Sequence, residues 1–159
     1  MNKRDLIKQI VETLADNLAV LDKAARASHA EATHESSKAE NKYDTRGLEA
    51  AYLAGGQARV AKEIIDAIKL YEAMTPRIFE KGEEIDIGAL VEVKSARDVS
   101  TYFIGPKSGG LEVQFEKKEV VVITPQSPLG QNLMGKKVKD KWMAEVGGVK
   151  AGFEIKSVV

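Results

Sequence analysis

The sequence predicts an α+β protein, an N-terminal antiparallel helical hairpin of coiled-coil type followed by a small antiparallel β domain with one short helix. Two observations carry this. Residues 1–75 contain no proline and three glycines, whereas residues 76–159 hold all four prolines and ten of the thirteen glycines. Apolar spacing changes at the same place, from alternating threes and fours to alternating twos. The expected domains are therefore 1–75 and 76–159, and the 159 residues suffice for a core without covalent staples.

In the first half, Ile7, Val11, Leu14, Leu18, Leu21, Ala25, Ser28 and Ala32 form one helical stripe. A second stripe, Ala51, Ala54, Ala58, Ala61, Ile65 and Ile68, faces the first if the chain reverses between them. About thirty residues per arm at 1.5 Å rise gives roughly 45 Å, far more than a small core requires. The reversal falls in the polar stretch 34–47, with the tip near 35–45. Ser37 with Glu40 makes a capping box, while Asp44 or Thr45 offers a later N-cap.

Six strands are expected in the second half: 89–94, 101–105, 111–115, 120–123, 141–146 and 152–158. Gly105-Pro106, Gly109-Gly110, the segment Pro125 to Pro128, and Gly147-Gly148 punctuate them. Ser127 is placed to cap a short helix that opens on Pro128, buries Leu129, Leu133 and Met134, and closes at Gly135. Trp142, Phe103, Phe115 and Phe153 are expected in the core.

Composition excludes several functions. With 24 basic and 24 acidic residues there is no net positive field for autonomous DNA binding or for an anionic membrane. The lack of cysteine removes disulfides and thiolate chemistry, and a cytoplasmic location is expected. His29 and His34 stand five apart, a poor pairing for one metal, and no metal site of the protein's own is expected. No phosphate-binding glycine loop or serine-hydrolase elbow occurs. Residues 31–49 carry five acids against three bases, a modestly acidic tip. If the segment is helical, Glu40 and Asp44 share a side, where two carboxylates can share a divalent cation supplied by a partner. Tyr43 between them either braces the turn or stacks on a base. The run Lys136 to Lys141 is a solubilising surface or a contact for an acidic partner or nucleic acid.

The stretch from Val120 through Thr124-Pro-Gln-Ser-Pro-Leu-Gly-Gln-Asn-Leu-Met-Gly-Lys-Lys, followed by Gly147-Gly148 and Phe153-Glu-Ile-Lys-Ser-Val, resembles the C-terminal domain of the bacterial Gre transcript-cleavage factors (GreA/GreB). The first half resembles that family's coiled-coil finger in length, order and tip position. The resemblance implies an FKBP-like C-terminal domain and an accessory role on RNA polymerase rather than an enzyme. The finger enters the polymerase's secondary channel, and Gln126, Ser127, Pro128 and Leu129 contribute to docking at its rim. Tip acids in a D-x-x-E-N pattern then help hold the polymerase's catalytic Mg²⁺, so that the polymerase itself hydrolyses backtracked RNA.

The pattern falls on Ser37-Lys-Ala-Glu40-Asn41, so serine replaces the first acid, and Asp44 or Glu35 is the nearest substitute. Implied tip residues are thus Glu40 and Asp44, supported by Ser37, Asn41, Tyr43 and Glu35. The resemblance implies no cofactor beyond the polymerase's Mg²⁺, and contact with an RNA 3′ end only inside the complex. Ser37 favours an alternative, a channel binder that competes with true cleavage factors and performs no metal chemistry. A peptide-binding or isomerase domain is a third reading.

Overall fold

A computed structural model describes residues 2–33 and 46–159. The chain forms two compact units: Val11–Lys69 is one, and Met1–Ile10 with Leu70–Val159 is the other.

The first of these consists of most of α1 (Lys3–Thr33) and α2 (Arg46–Glu72). Ile7, Val11, Leu14, Leu18 and Leu21 are buried or half-buried, as the 3–4 spacing requires. On α2 the expected stripe holds at Ala61 and Ile68 and is corrected at Ala58 and Ile65, while the side chains of Ala51 and Ala54 lie outside the described ones. Ile65 is 39% exposed and Ala58 is exposed, while Gln57, Ala61, Ile64, Ala67 and Ile68 are the sheltered residues. A straight helix turns every 3.6 residues and drifts off a 3.5-residue repeat, and α2 has apolar residues on several faces, so its pattern does not select one. The Gln57 Oε1 is screened from solvent and has no partner among the described residues.

The other unit is built on a six-stranded sheet: β1 (Leu90–Lys94), β2 (Val99–Ile104), β3 (Glu112–Phe115), β4 (Lys118–Ile123), β5 (Lys141–Val146) and β6 (Val149–Val158). Their order across the sheet is β3-β4-β2-β1-β6-β5. The expected strands are present, and the short helix α3 (Pro128–Leu133) follows β4. Pairing is antiparallel except between β2 and β4, which run parallel with Phe103 opposite Val122. The sheet is thus mostly antiparallel, as expected, with this one parallel pair. Residues 105–111 carry the chain past one strand position to the edge, and the turn at Glu116-Lys117, both at positive φ, drops β4 into the gap. Alternation reports which face a residue occupies, not the direction of its strand.

β6 is also longer than expected. The expected strand opens at Gly152, yet this residue sits inside the strand opposite Met143, whose Sδ lies 3.3 Å from where a Cβ would stand.

Both sheet faces are buried in part. Val91, Val93, Ile104, Ile123 and Ile155 cluster with Leu133 of α3, Phe79 and Ile85, and Trp142 stacks on Phe153 at 5.3 Å beside them. The expected core aromatics hold for Phe103, which is fully buried; Trp142, Phe153 and Phe115 are half-buried. On the opposite face Leu90, Phe103, Val120 and Val122 are buried, and the fully buried Tyr71 lies against Val122 and Gly105.

One buried charge belongs to this unit. Lys3 is 6% exposed, and its Nζ donates to the main-chain oxygens of Gly88 at 3.1 Å and Val159 at 2.8 Å while standing 4.7 Å from the Phe79 ring centre. Burial first, then the Arg77 charge, bring its pKa down from 10.5 to about 8, against an opposing pull from Glu83. Below pH 8 the folded chain must hold this charge at a cost. Between 8 and 10.5 the unfolded chain keeps the proton that the folded chain has released, so stability rises with pH. The neutral amine retains two N–H groups for its two acceptors. Urea unfolding is expected to show a gain on the order of 2 kcal/mol from pH 7.5 to 9.5, absent in Lys3→Met. Equal slopes in both proteins would remove Lys3 as the cause. From about pH 10 upward Tyr71 opposes this rise, because burial pushes its phenol above the ordinary 10.0 and the unfolded chain ionises first.

Candidate functional site

The tip residues Glu35, Ser37, Glu40, Asn41, Tyr43 and Asp44 lie outside the described residues. The other set, Gln126 to Leu129, is described in full. It connects β4 to α3.

Its geometry follows from three local features. Ser127 takes an extended backbone and its Oγ accepts the Gly130 N–H at 3.0 Å, which makes it the N-cap of α3. The same hydroxyl donates to the Thr124 carbonyl at 2.8 Å, and the Ser127 N–H donates there too at 3.0 Å. Pro128 occupies the first helical turn, where a missing N–H costs nothing. Gly130 is needed for closeness: a Cβ there would overlap the Thr124 carbonyl oxygen and stand 2.8 Å from its carbon. Gln131 Nε2 donates to the Gln126 carbonyl at 3.2 Å and ties the loop to the helix.

These bonds divide the four residues. Ser127 is spent internally, and Leu129 packs against the core cluster that includes Leu133. Gln126 and Pro128 are exposed, so they are the residues a partner can touch. The loop is shaped before any partner arrives, which lowers the ordering cost of association.

Sequence reasoning missed its neighbours. Gly109 lies beside Thr124, with the Thr124 Cγ2 3.4 Å from a Cβ placed there, so the loop before β3 adjoins the loop before α3. That first loop is anchored by the Tyr71 hydroxyl, which donates to the Lys107 carbonyl at 2.6 Å. A lone tyrosine near a helix end gives no sign of a bond 36 positions away. Lys107 is exposed at this end of the sheet, as are Gln126 and Pro128. No group of three or more His, Cys, Asp or Glu side chains is arranged to hold a metal among the described residues. No helix among them is long and apolar enough to cross a membrane.

Fold and loop define a class: a two-helix segment joined in one chain to a six-stranded sheet domain that presents a capped strand-to-helix loop. The chain belongs to the GreA/GreB transcription elongation factor family, whose C-terminal domain model matches residues 80–159. Among solved structures, it is similar to the GreA factor homolog 1 (Gfh1) protein of Thermus thermophilus, with 21% identity over 94% of each chain and a TM-score of 0.37. It is likewise similar to Thermus aquaticus Gfh1, with 21% identity, coverage of 98% of this chain and 92% of the other, and a TM-score of 0.39. Comparison with curated proteins finds no match.

Proposed function

We propose that this protein is an accessory factor of a bacterial RNA polymerase, acting in the cytoplasm. It docks at the rim of the secondary channel through Gln126 to Leu129 and presents the 35–45 tip towards the active site. Glu40 and Asp44 then bring carboxylates to the polymerase's catalytic Mg²⁺, which supplies the hydrolytic chemistry on the backtracked RNA 3′ end. The factor has no substrate turnover of its own. The observation that carries this reading is the family match over residues 80–159, within which Gln126 and Pro128 stand exposed on a loop already closed by Ser127.

The test is RNA release from a stalled, backtracked polymerase complex in Mg²⁺ buffer, with binding measured in parallel. The protein is expected to accelerate 3′ cleavage, and Glu40→Ala with Asp44→Ala to reduce the stimulation roughly 10- to 100-fold while binding persists. Gln126→Ala with Pro128→Ala is expected to weaken binding. Binding with unchanged or slowed cleavage would assign the protein to channel competition instead. Absence of binding would sink the polymerase reading altogether.

A further inference from the structure

β5 is one edge of the six-stranded sheet, with β6 on its inner side and no strand on its outer side among the described residues. The hairpin fixes which of its main-chain groups look outward. Gly147 and Gly148, both at positive φ, form a two-residue turn between Val146 and Val149, and residues flanking such a turn exchange ladder bonds. At the other end the Ile155 N–H donates to the Asp140 carbonyl at 3.0 Å. Bonding towards β6 thus falls on the even-numbered residues, and the N–H and C=O groups of Lys141, Met143 and Glu145 point away from the sheet.

Edges are blunted against a second strand by proline, by a bulge or by repelling charge. β5 has neither a proline nor a shift in its register with β6. Its charges, Lys141 and Glu145, are opposite in sign and stand two residues either side of Met143, which is 66% exposed.

That spacing is self-complementary. A second copy related by a two-fold axis at Met143 runs antiparallel to the first and sets Met143 against Met143 and Lys141 against Glu145 twice. These are the outward-bonding residues, so each pair exchanges two main-chain bonds. Side chains agree on both faces. On one, Lys94, Glu154 and Lys141 are neighbours across β1, β6 and β5, and the second copy continues the row with Glu145 and then Lys150. Signs alternate along the whole row, and no like charges stand opposite one another. In the single chain the Glu154 carboxylate turns to Lys156 at 3.7 Å, and neither Lys141 nor Glu145 makes an ion pair among the described residues. On the other face Trp142 of each copy meets Ala144 of the other, large against small. Moving the axis to Trp142 or Ala144 sets one of the two charges against Met143 and the other beyond the strand, so charge selects the Met143 register.

We propose that the chain forms a two-fold dimer through β5, joining two six-stranded sheets into one continuous sheet about Met143. A contact one strand wide falls below the ~1,200 Å² of firmly associated pairs, and strand addition draws on main-chain bonds more than on area, so the association is weak and reversible. The Gln126 loop follows β4, and β2, β1 and β6 lie between that strand and β5. The dimer surface is therefore separate from the proposed docking loop, and its test needs no polymerase.

The experiment is sedimentation of the full chain over a concentration series, with ¹⁵N spectra of the same samples. Self-association is expected, with concentration-dependent shifts and slowed amide exchange at Lys141, Met143 and Glu145. Lys141→Glu alone and Glu145→Lys alone each set like charges together twice, and each is expected to weaken self-association roughly tenfold. An equimolar mixture of the two variants restores opposite charges at both places and is expected to associate within about threefold of the parent. Urea unfolding checks that each variant folds. Met143→Pro removes an N–H that the single chain does not use, so it is expected to fold and not to associate. The proposal is overturned if the chain stays monomeric up to about 1 mM, where a contact of this size populates a dimer. It is equally overturned if either charge variant associates as the parent does, or if the folded variants fail to restore association when mixed. Shifts centred on Val146 and Val149 would mean that copies meet through the hairpin's apolar face, and that too overturns it.

Discussion

Gly130→Ala is expected to destabilise the fold by about 3 kcal/mol or more, although alanine is the better helix former by about 1 kcal/mol in an open helix. The difference is space. The Cβ would overlap the Thr124 carbonyl oxygen and stand 2.9 Å from the Ser127 Oγ, and both atoms already hold the cap together. The obstacle is backbone, so relief requires moving the 124–130 loop rather than turning a side chain. Ser127→Ala, which removes the cap but creates no overlap, is expected to cost about 1 kcal/mol. Urea unfolding of both variants checks the order, and a Gly130→Ala protein as stable as the parent would refute the close approach. Because the same movement displaces Gln126 and Pro128, Gly130→Ala should also weaken polymerase binding, under the proposed function, more than its residual folded fraction explains.

Tyr71→Ala is expected to cost 3–5 kcal/mol, roughly what deletion of a fully buried aromatic ring costs elsewhere. Tyr71→Phe isolates the hydroxyl. It leaves the Lys107 carbonyl without its donor and should cost about 1–2 kcal/mol. The sharper test is a double-mutant cycle with Gly105→Ala. A Cβ at residue 105 would overlap the Tyr71 hydroxyl and lie 3.1 Å from its Cζ and 2.9 Å from the Val122 Cγ1. With the ring removed, only Val122 is crowded. Gly105→Ala should therefore be milder in the Tyr71→Ala background by more than about 1 kcal/mol, a coupling that urea unfolding of the four proteins measures. Additive effects would mean that the ring and the glycine do not meet.

Much of this was legible beforehand because the forces concerned are local. The stripe from Ile7 to Leu21 repeats at helical spacing, and the cap at Ser127 acts on a residue three positions away. The S-P-L-G run marked the loop for the same reason, since cap, first-turn proline and close-approach glycine fall within the four residues Ser127 to Gly130. The division of labour inside that loop was not legible. Gln126 and Pro128 stay exposed while Ser127 and Leu129 turn inward, and this depends on Thr124 and the core, not on residue type. The start of β6 was placed three residues late, at Gly152, because a glycine in a strand can mark an end or make room for a neighbour, here Met143.

By itself the sequence determined two helices, six strands, the capped helix between β4 and β5, and the family they belong to. Each rests on periodicity or on bonds between near neighbours. The tertiary structure alone decided that β4 runs parallel to β2, that Ile64 rather than Ile65 is sheltered, and that Lys3 is buried under two main-chain oxygens. Those outcomes depend on residues far apart in the chain, such as Lys3 with Val159 and Tyr71 with Lys107, brought together only when the sheet closes.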